Sequence, residues 1–176
     1  EEQKEFHPEQ HGFYRNKLME SYIHNQDHYY KGICTSTDGH VGKENFDWMI
    51  DCHGGDHENL TYANLLINAN YKRFIEEMIP ALVDREVLYV VNENANVSKL
   101  PFQVDHSFII GSNCMINNYD TVDEVKNYIS NNNIQDAVIL CSAASLTNYV
   151  IYECFKDNNN NTFLDIGSCL NPLLDL

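Results

Sequence analysis

The stretch AVILCSAASLTN, residues 137–148, decides the fold class that the sequence predicts. Its apolar residues run into a turn of small residues at 142–145, and the turn opens a helical pattern that continues to Phe155. In an open α/β sheet, a strand end, a loop and a helix start of this kind form a corner that binds anions. The loop amides point outward there, and the helix dipole adds roughly half a positive charge. A tight helix start that needs small residues only for packing is the alternative.

Two other stretches have the same layout, VLYVVNENAN at 87–96 and TFLDIGSCLN at 162–171. We expect the three strand ends to form one crevice for a phosphorylated ligand. Strand and helix patterns alternate from residue 86 to residue 166, which predicts an α/β fold of Rossmann-like type. The expected architecture is a mostly parallel central sheet with right-handed crossovers and helices on both faces.

Hydrophobic periodicity places the other elements. It predicts helices at 9–24, 46–50 and 120–132, the last with Asp120 or Thr121 as N-cap, and two helices between 58 and 84 with a break near 68–70. Short strands are expected at 32–35 and 106–111, and DCHGGDH at 51–57 has the composition of a polar connection. Because the chain lacks an initiator Met, we expect one domain, residues 1–176, excised from a longer protein.

The composition argues against several classes of partner. The 176 residues carry a formal net charge of −15, whereas a nucleic-acid or anionic-membrane surface needs a basic footprint. No apolar run approaches the ~20 residues of a membrane span, and the charged first residues are no secretory signal.

None of the six cysteines forms a CxxC pair, so we expect free thiols in the cytoplasm. The Asn runs at 131–133 and 158–161 are typical of an AT-rich genome, such as that of a large DNA virus.

Asp38 and His40 in the segment TDGH are candidate ligands of a divalent ion. Side chains two apart on an extended strand end point the same way, and both residue types suit Mn²⁺ or Mg²⁺. A turn with a capping Asp explains the same residues without a metal. The segment DCHGGDHE at 51–58 matches no zinc pattern, because it has neither paired cysteines nor H-x-x-x-H, and a solvated loop explains it.

Polar residues that follow predicted strands are candidate ligand contacts. Asn92, Glu93 and Asn94 follow the strongest strand, although polar strand termination also explains them. The Asp165 carboxylate is placed to accept hydrogen bonds from a ribose or sugar, and Gly167 with Ser168 allows close approach. The absence of GxxxxGK[ST], GxGxxG and GxSxG argues against P-loop NTPases, the usual dinucleotide binders and α/β-hydrolases.

The segment FLDIGSCLN also invites comparison with the methyltransferases that use S-adenosylmethionine, whose first motif is a strand followed by D-x-G-x-G. Cys169 replaces the second Gly of that motif. That family needs several further strands after this loop, and the chain has too few residues left for them unless the domain is permuted or truncated. A methyltransferase therefore stays an alternative hypothesis for this segment.

Five segments together resemble the GT-D type of glycosyltransferase domain: YKGICTSTDGHVG (30–42), LLINANYKRFIEEMIPALVDREVLYVVNENA (65–95), LPFQVDHSFIIGSNC (100–114), AVILCSAASLTNYVIYE (137–153) and NTFLDIGSCLNPLL (161–174). The resemblance implies a Rossmann-like sheet that binds a nucleotide-sugar, typically UDP-linked, with a divalent metal. It also implies a D-x-E motif in the loop after the first strand. Asp38 matches the first acidic position of that motif, and His40 stands where Glu is expected.

The same resemblance implies roles for the strand-end residues. The turn 142–145 matches the family's loop after the penultimate strand, with Ala in place of the usual Gly, and DIGS at 165–168 matches as well. The residues expected to contact the nucleotide-sugar are Asn92, Asn94, Ser142, Ala143, Ala144, Ser145, Asp165, Gly167 and Ser168.

The implied reaction transfers a sugar from a UDP-sugar to an acceptor hydroxyl. Mn²⁺ or Mg²⁺ at Asp38 and His40, together with the amides of 142–145, stabilises the leaving diphosphate. Glu93, Asp38 and His40 are the candidate bases. The sugar, the acceptor and the stereochemical outcome stay open. A module that holds a nucleotide-sugar without transferring it is the main alternative.

Overall fold

A computed structural model describes residues 6, 7, 9–37, 42–55 and 57–176 of the chain. Its strands are β1 (Lys31–Ile33), β2 (Leu60–Tyr62), β3 (Val87–Asn92), β4 (His106–Ile110), β5 (Val138–Cys141) and β6 (Thr162–Asp165). Its α-helices are α1 (Gly12–Ile23), α2 (Gly42–His53), α3 (Tyr71–Arg73), α4 (Cys114–Asn117), α5 (Thr121–Asn131), α6 (Ala144–Asp157) and α7 (Asn171–Leu174). Short 3-10 turns occur at His57–Asn59, Asn68–Asn70, Pro80–Leu82 and Val97–Lys99.

The centre of the fold is a four-stranded, fully parallel sheet in the order β4-β3-β5-β6. The register aligns Val90 of β3 with Cys141 of β5, and Cys141 with Asp165 of β6. Residues 87–91 of β3 form a continuous buried apolar run, as a strand covered on both faces requires. The predicted α/β fold with a parallel central sheet is confirmed, and the handedness of its crossovers stays a prediction.

Both faces of this sheet are covered. Leu88 and Val90 of β3 pack with α5 and α6 in one apolar cluster, whereas Val87, Tyr89 and Val91 pack in a second cluster on the opposite face. The second cluster contains residues of the 74–82 segment, the 100–102 loop and α7. Successive strand side chains point to opposite faces, so the two clusters belong to the two sides of one sheet. This arrangement confirms the prediction of helices on both faces.

The helix α5 follows its sequence pattern closely. Val122, Val125 and Ile129 are buried at helical spacing, as predicted. Asp120 occupies the N-cap position, but its side chain makes no capping hydrogen bond. The capping position is therefore as predicted, and the capping interaction is absent.

One of the two helices predicted between 58 and 84 is wrong. Leu60–Tyr62 forms β2, which pairs in parallel with β1 in a separate two-stranded sheet. The two strands lie close together: a Cβ added to Gly32 of β1 would lie 3.2 Å from Cα of Ala63, the residue after β2. Leu65, which the helical pattern placed on an apolar face, is 51% exposed. Pairing with a distant segment has therefore overridden the local periodicity.

The second predicted helix is confirmed and has an irregular end. It begins as α3, continues as a π-helical segment at Phe74–Met78 and ends in the turn Pro80–Leu82. The amide of Ile79 bonds the carbonyl of Phe74, five residues back. Pro80 has no N–H to donate and its ring crowds the carbonyl four residues earlier, which explains the wider turn.

The polar connection predicted at 51–57 is also partly wrong. The helix α2 extends to His53, whose side chain is 1% exposed. A polar side chain is buried here because Lys31 and Asn25 surround it: Lys31 Nζ lies 3.0 Å from His53 Nδ1, and Asn25 donates to the His53 carbonyl.

All six cysteines are unpaired thiols, four of them buried. No helix in the described ranges is both long and apolar enough to cross a membrane.

Candidate functional site

A crevice of about 870 Å³ opens at the carboxyl ends of β4, β3 and β5. Pockets of roughly 300–1,000 Å³ are typical of small-molecule sites. The crevice is lined by Phe6, Arg15, Leu18, Asn92, Ile110, Gly111, Ser112, Asn113, Cys114, Met115, Ser142, Ala143, Ala144 and Ser145. It therefore collects residues from the ends of three strands and from α1.

The strand order explains why the crevice lies here. After β3 the chain runs to β4 on one side of β3, and it later returns to place β5 and β6 on the other side. The loop after β3 contributes to one apolar cluster, whereas α6 after β5 contributes to the other. The point between β3 and β5 is thus a topological switch point, where open α/β sheets bind their ligands.

The turn 142–145 has fewer free amides than the sequence led us to expect. The Ser142 amide donates to the Val90 carbonyl at 2.9 Å, and the Ala143 amide donates to Thr147 Oγ1 at 3.1 Å. The first-turn amides of a helix have no acceptor inside the helix, so those of Ala144 and Ser145 remain available. Within the described ranges, these two amides are the donors that this turn can offer to an anion.

Ala144 has an unusual backbone conformation. Its φ is +45°, in the left-handed region that favours glycine, and it begins the 14-residue helix α6. Ala143 before it has φ of −125° and ψ of 29°. The Cβ of Ala144 therefore introduces backbone strain at the start of this helix. It is a local cost of roughly 1–2 kcal/mol.

The Ser142 hydroxyl is occupied by a neighbour. It shares a hydrogen bond of 2.9 Å with the Tyr89 hydroxyl, and either oxygen is able to donate. Burial raises the pKa of Tyr89 to about 12, against the opposing effect of that hydrogen bond. The Ser145 hydroxyl has no such partner in the part of the chain that the structure describes, so Ser145 is the hydroxyl of this turn that is available to a ligand.

The end of β3 brings three of the predicted residues to the crevice or beside it. Asn92 lines the crevice, and its Oδ1 accepts hydrogen bonds from the amide and the side chain of Asn94. Glu93 is exposed, and its Oε1 would lie 3.6 Å from a Cβ at Gly111, a crevice residue. A carboxylate therefore lies at the rim of the crevice, in a position suited to accept a proton.

The strand β4 supplies a wall that the sequence analysis missed. Residues 110–115 line the crevice, and Asn113 is 7% exposed with a left-handed φ of +54°. The amide of Gly111 donates to Asn118 Oδ1, and the Cys114 thiol donates to the Ala143 carbonyl at 3.2 Å. This last contact joins the β4 loop to the β5 loop. The sequence did contain a signal for this wall. A strand was predicted at 106–111, and neighbouring parallel strands end at the same edge of a sheet.

The end of β6 does not line the crevice, which corrects the expectation that residues 162–171 share it. The strand β6 lies beyond β5 at the edge of the sheet, so one strand separates Asp165 from the crevice at β3. Asp165 Oδ1 accepts the Gly167 amide at 3.0 Å. Burial raises the pKa of the Asp165 carboxyl, and the Gly167 hydrogen bond opposes that rise. Ser168 follows on the exposed turn.

Asp38 and His40 lie outside the described residues, and so does the loop position that the family resemblance gives them. Among the described strands, β1 before this loop pairs with β2 and lies outside the four-stranded sheet. Among the described residues, no group of three or more His, Cys, Asp or Glu side chains could hold a metal ion. The described residues therefore provide no test of a metal bound at Asp38 and His40.

The crevice differs in charge from the protein as a whole. The chain has 26 acidic residues, yet the described residues that line the crevice include no Asp or Glu. Arg15 is the basic residue among them. Arg15 lies on α1, outside the strand-end loops, and its spacing in the sequence gave no sign of this position. The lining suits an anionic ligand better than the rest of the surface does.

Comparison with protein-family models, with curated proteins and with solved structures gives no match to this chain.

Proposed function

We propose that this chain is a glycosyltransferase domain that binds a nucleotide-diphosphate sugar, most simply a UDP-sugar, in the crevice. The observation that carries the proposal is the position of the turn 142–145. It lies in a crevice at the switch point of a parallel sheet, and the amides of Ala144 and Ser145 at the start of α6 are available to an anion. The order of segments that resembles GT-D domains supports the same reading.

Each wall of the crevice has a task in this proposal. The amides of Ala144 and Ser145 and the Ser145 hydroxyl bind the leaving diphosphate, whose charge rises as the glycosidic bond breaks. Asn92, held by Asn94, presents polar groups toward the nucleoside or sugar. Asp165 and the turn after it would contact only a ligand long enough to extend past β5.

Glu93 is the described residue best placed to act as the base. Its carboxylate lies beside Gly111 at the rim of the crevice, where an acceptor hydroxyl would enter. It would take the hydroxyl proton as the acceptor oxygen attacks the anomeric carbon. The bond from that carbon to the diphosphate breaks, and the diphosphate leaves with the electron pair.

Mn²⁺ or Mg²⁺ belongs to the proposal through Asp38 and His40, whose oxygen and imidazole donors suit such ions. A bound ion would offset negative charge on the diphosphate. The six unpaired cysteines are typical of a reducing compartment, so we place the reaction in the cytoplasm.

A binding module without transfer activity is the second candidate function. The replacement of the expected Glu by His40 favours it. The S-adenosylmethionine hypothesis has less support, because the segment 165–169 that suggested it lies at the edge strand and outside the crevice lining.

A thermal-shift experiment separates the three functions. The protein is heated with UDP, with a panel of UDP-sugars and with S-adenosylmethionine, each with and without Mn²⁺. Stabilisation by UDP and a UDP-sugar, together with release of UDP in the presence of an acceptor, is the expected result. Stabilisation by a UDP-sugar without hydrolysis or transfer would favour the binding module. Stabilisation by S-adenosylmethionine alone would overturn the glycosyltransferase proposal.

A further inference from the structure

The helix α1 contributes the positive charge of the crevice. We propose that Arg15 binds the diphosphate group of the ligand directly. The nucleotide identity of that ligand rests on the proposed function, whereas the assignment of Arg15 requires only that the ligand carry a diphosphate. Arg15 lies on α1, which precedes the four-stranded sheet in the chain. The crevice would therefore receive its positive charge from a helix that packs against the α/β unit, and not from one of the strand-end loops.

The position of Arg15 is fixed by the residue before it. The Tyr14 carbonyl accepts a hydrogen bond from the Tyr149 hydroxyl of α6 at 2.8 Å, and the Tyr14 hydroxyl donates to the Ile116 carbonyl of α4 at 3.3 Å. Both α4 and α6 begin with crevice residues. The backbone next to Arg15 is therefore tied to two of the elements that form the crevice, which limits where the guanidinium group can reach.

Arg15 is available to a ligand. It is exposed, lines the crevice and has no carboxylate partner among the described residues. By contrast, Lys17 on the same helix pairs with Glu20 at 2.8 Å and lies 3.8 Å from Glu153. A guanidinium group presents a planar fork of donors that matches two oxygens of a phosphate. Arg15 is thus the unpaired cation of this helix, and it faces the crevice.

Because the whole protein is negatively charged, a positive group in the crevice is important for binding a diphosphate. A net charge of −15 repels a diphosphate from the general surface. Among the described residues that line the crevice none is acidic, and Arg15 joins the free amides of Ala144 and Ser145 as positive groups. Each of these groups binds an anion weakly by itself. Together they make a three-part site in which a guanidinium group on α1 complements the helix start of α6.

Titration calorimetry tests the assignment with inorganic pyrophosphate and with UDP, both in EDTA so that no divalent ion contributes. The variants are Arg15→Gln, Arg15→Lys and the matched control Lys17→Gln, which removes one positive charge from the same helix outside the crevice. We expect Arg15→Gln to weaken both ligands about tenfold or more, the loss of one charged hydrogen-bonding partner. Arg15→Lys should recover part of the affinity, because it keeps the charge and loses the fork. Circular dichroism confirms that each variant is folded.

The outcomes separate the assignment from the proposed function. If UDP binds the wild type and Arg15→Gln equally well, the assignment of Arg15 is wrong and the proposed function stands. If pyrophosphate binds and depends on Arg15, but UDP binds neither in EDTA nor in Mn²⁺, the assignment stands and the nucleotide-sugar proposal fails. Equal losses in Arg15→Gln and Lys17→Gln would reduce the effect to overall charge and overturn the assignment. If the wild type binds neither ligand in EDTA, the assignment of Arg15 is wrong, and absence of UDP binding in Mn²⁺ as well overturns the proposed function.

Discussion

The Tyr149 hydroxyl on α6 donates a hydrogen bond to the Tyr14 carbonyl on α1 at 2.8 Å. Tyr119 packs between these two residues, with its ring 5.6 Å from that of Tyr14 and 5.4 Å from that of Tyr149. Phe13 adds a fourth ring, 5.3 Å from Tyr119. This aromatic cluster holds the N-terminal helix against the α/β unit, at the edge of the candidate site.

We expect Tyr149→Phe to loosen this attachment without emptying the core. The ring remains, but the part-buried Tyr14 carbonyl loses a donor, which costs about 1 kcal/mol of unfolding free energy. Because the position of Arg15 depends on Tyr14, the variant should also weaken pyrophosphate binding, by a smaller factor than Arg15→Gln. Urea unfolding and calorimetry measure the two effects.

Tyr152→Phe is the matched control for this prediction. It removes a hydroxyl from the same helix, and that hydroxyl makes no hydrogen bond within the described ranges. Its stability and pyrophosphate affinity should equal those of the wild type. If Tyr149→Phe binds pyrophosphate as tightly as Tyr152→Phe does, α1 does not need this bond to place Arg15.

Ala144→Gly should stabilise the protein. The φ of +45° at Ala144 is strained for a residue with a Cβ and relaxed for glycine, so the change should raise the unfolding free energy by about 0.5–1 kcal/mol. Ala143→Gly is the contrasting variant: its φ is negative and its methyl group is buried, so it should destabilise the protein. Urea unfolding compares the two, and a loss of stability in Ala144→Gly would show that the strain is not relieved there.

Lys31 gives the protein a pH dependence at alkaline pH. Its ammonium group is buried against His53, Asn25 and the ring of Tyr22, which lies 5.4 Å away, and burial lowers the pKa of Lys31 to about 8. Between pH 8 and the ordinary pKa of 10.5, the unfolded chain holds a proton that the folded chain has released. Stability due to Lys31 therefore rises with pH across this window and is lost as the pH falls through 8.

The comparison of wild type with Lys31→Met measures this effect. The difference in unfolding free energy should grow in favour of the wild type from pH 8 to pH 10.5, by less than about 1.4 kcal/mol per pH unit because water screens part of the penalty. Lys72→Met, whose side chain is 80% exposed, serves as the control and should give a difference that does not vary with pH. A constant difference for Lys31→Met would contradict the expectation.

Asp38→Ala should abolish any Mn²⁺-dependent part of UDP binding, since the proposal makes Asp38 a ligand of that ion. Asp47→Ala is the control, because it removes an exposed carboxylate from α2 that pairs with Lys43. Calorimetric titration of UDP in Mn²⁺ and in EDTA gives the comparison. An unchanged affinity in Mn²⁺ would show that Asp38 is not a ligand.

Local pattern in the sequence was sufficient for the C-terminal half of the fold. The continuous apolar run of β3 and the buried positions of α5 identified their elements, because burial on two faces or on one helical stripe leaves a signal within a short window. The same reasoning failed at Leu60–Tyr62, where pairing with β1 settles the structure. A contact between residues so far apart in the chain leaves no mark in local periodicity.

The candidate site also has features that the sequence predicted and features that only the tertiary structure decided. The sequence by itself determined that the turn 142–145 follows a buried strand and opens a helix, and that Asn92 ends another strand. Only the tertiary structure decided which strand ends meet: it brought residues 110–115 into the crevice and left Asp165 at the edge. It also placed Arg15 there. Strand order and helix packing depend on contacts between distant segments, whereas the conformation of a turn depends mainly on its own residues.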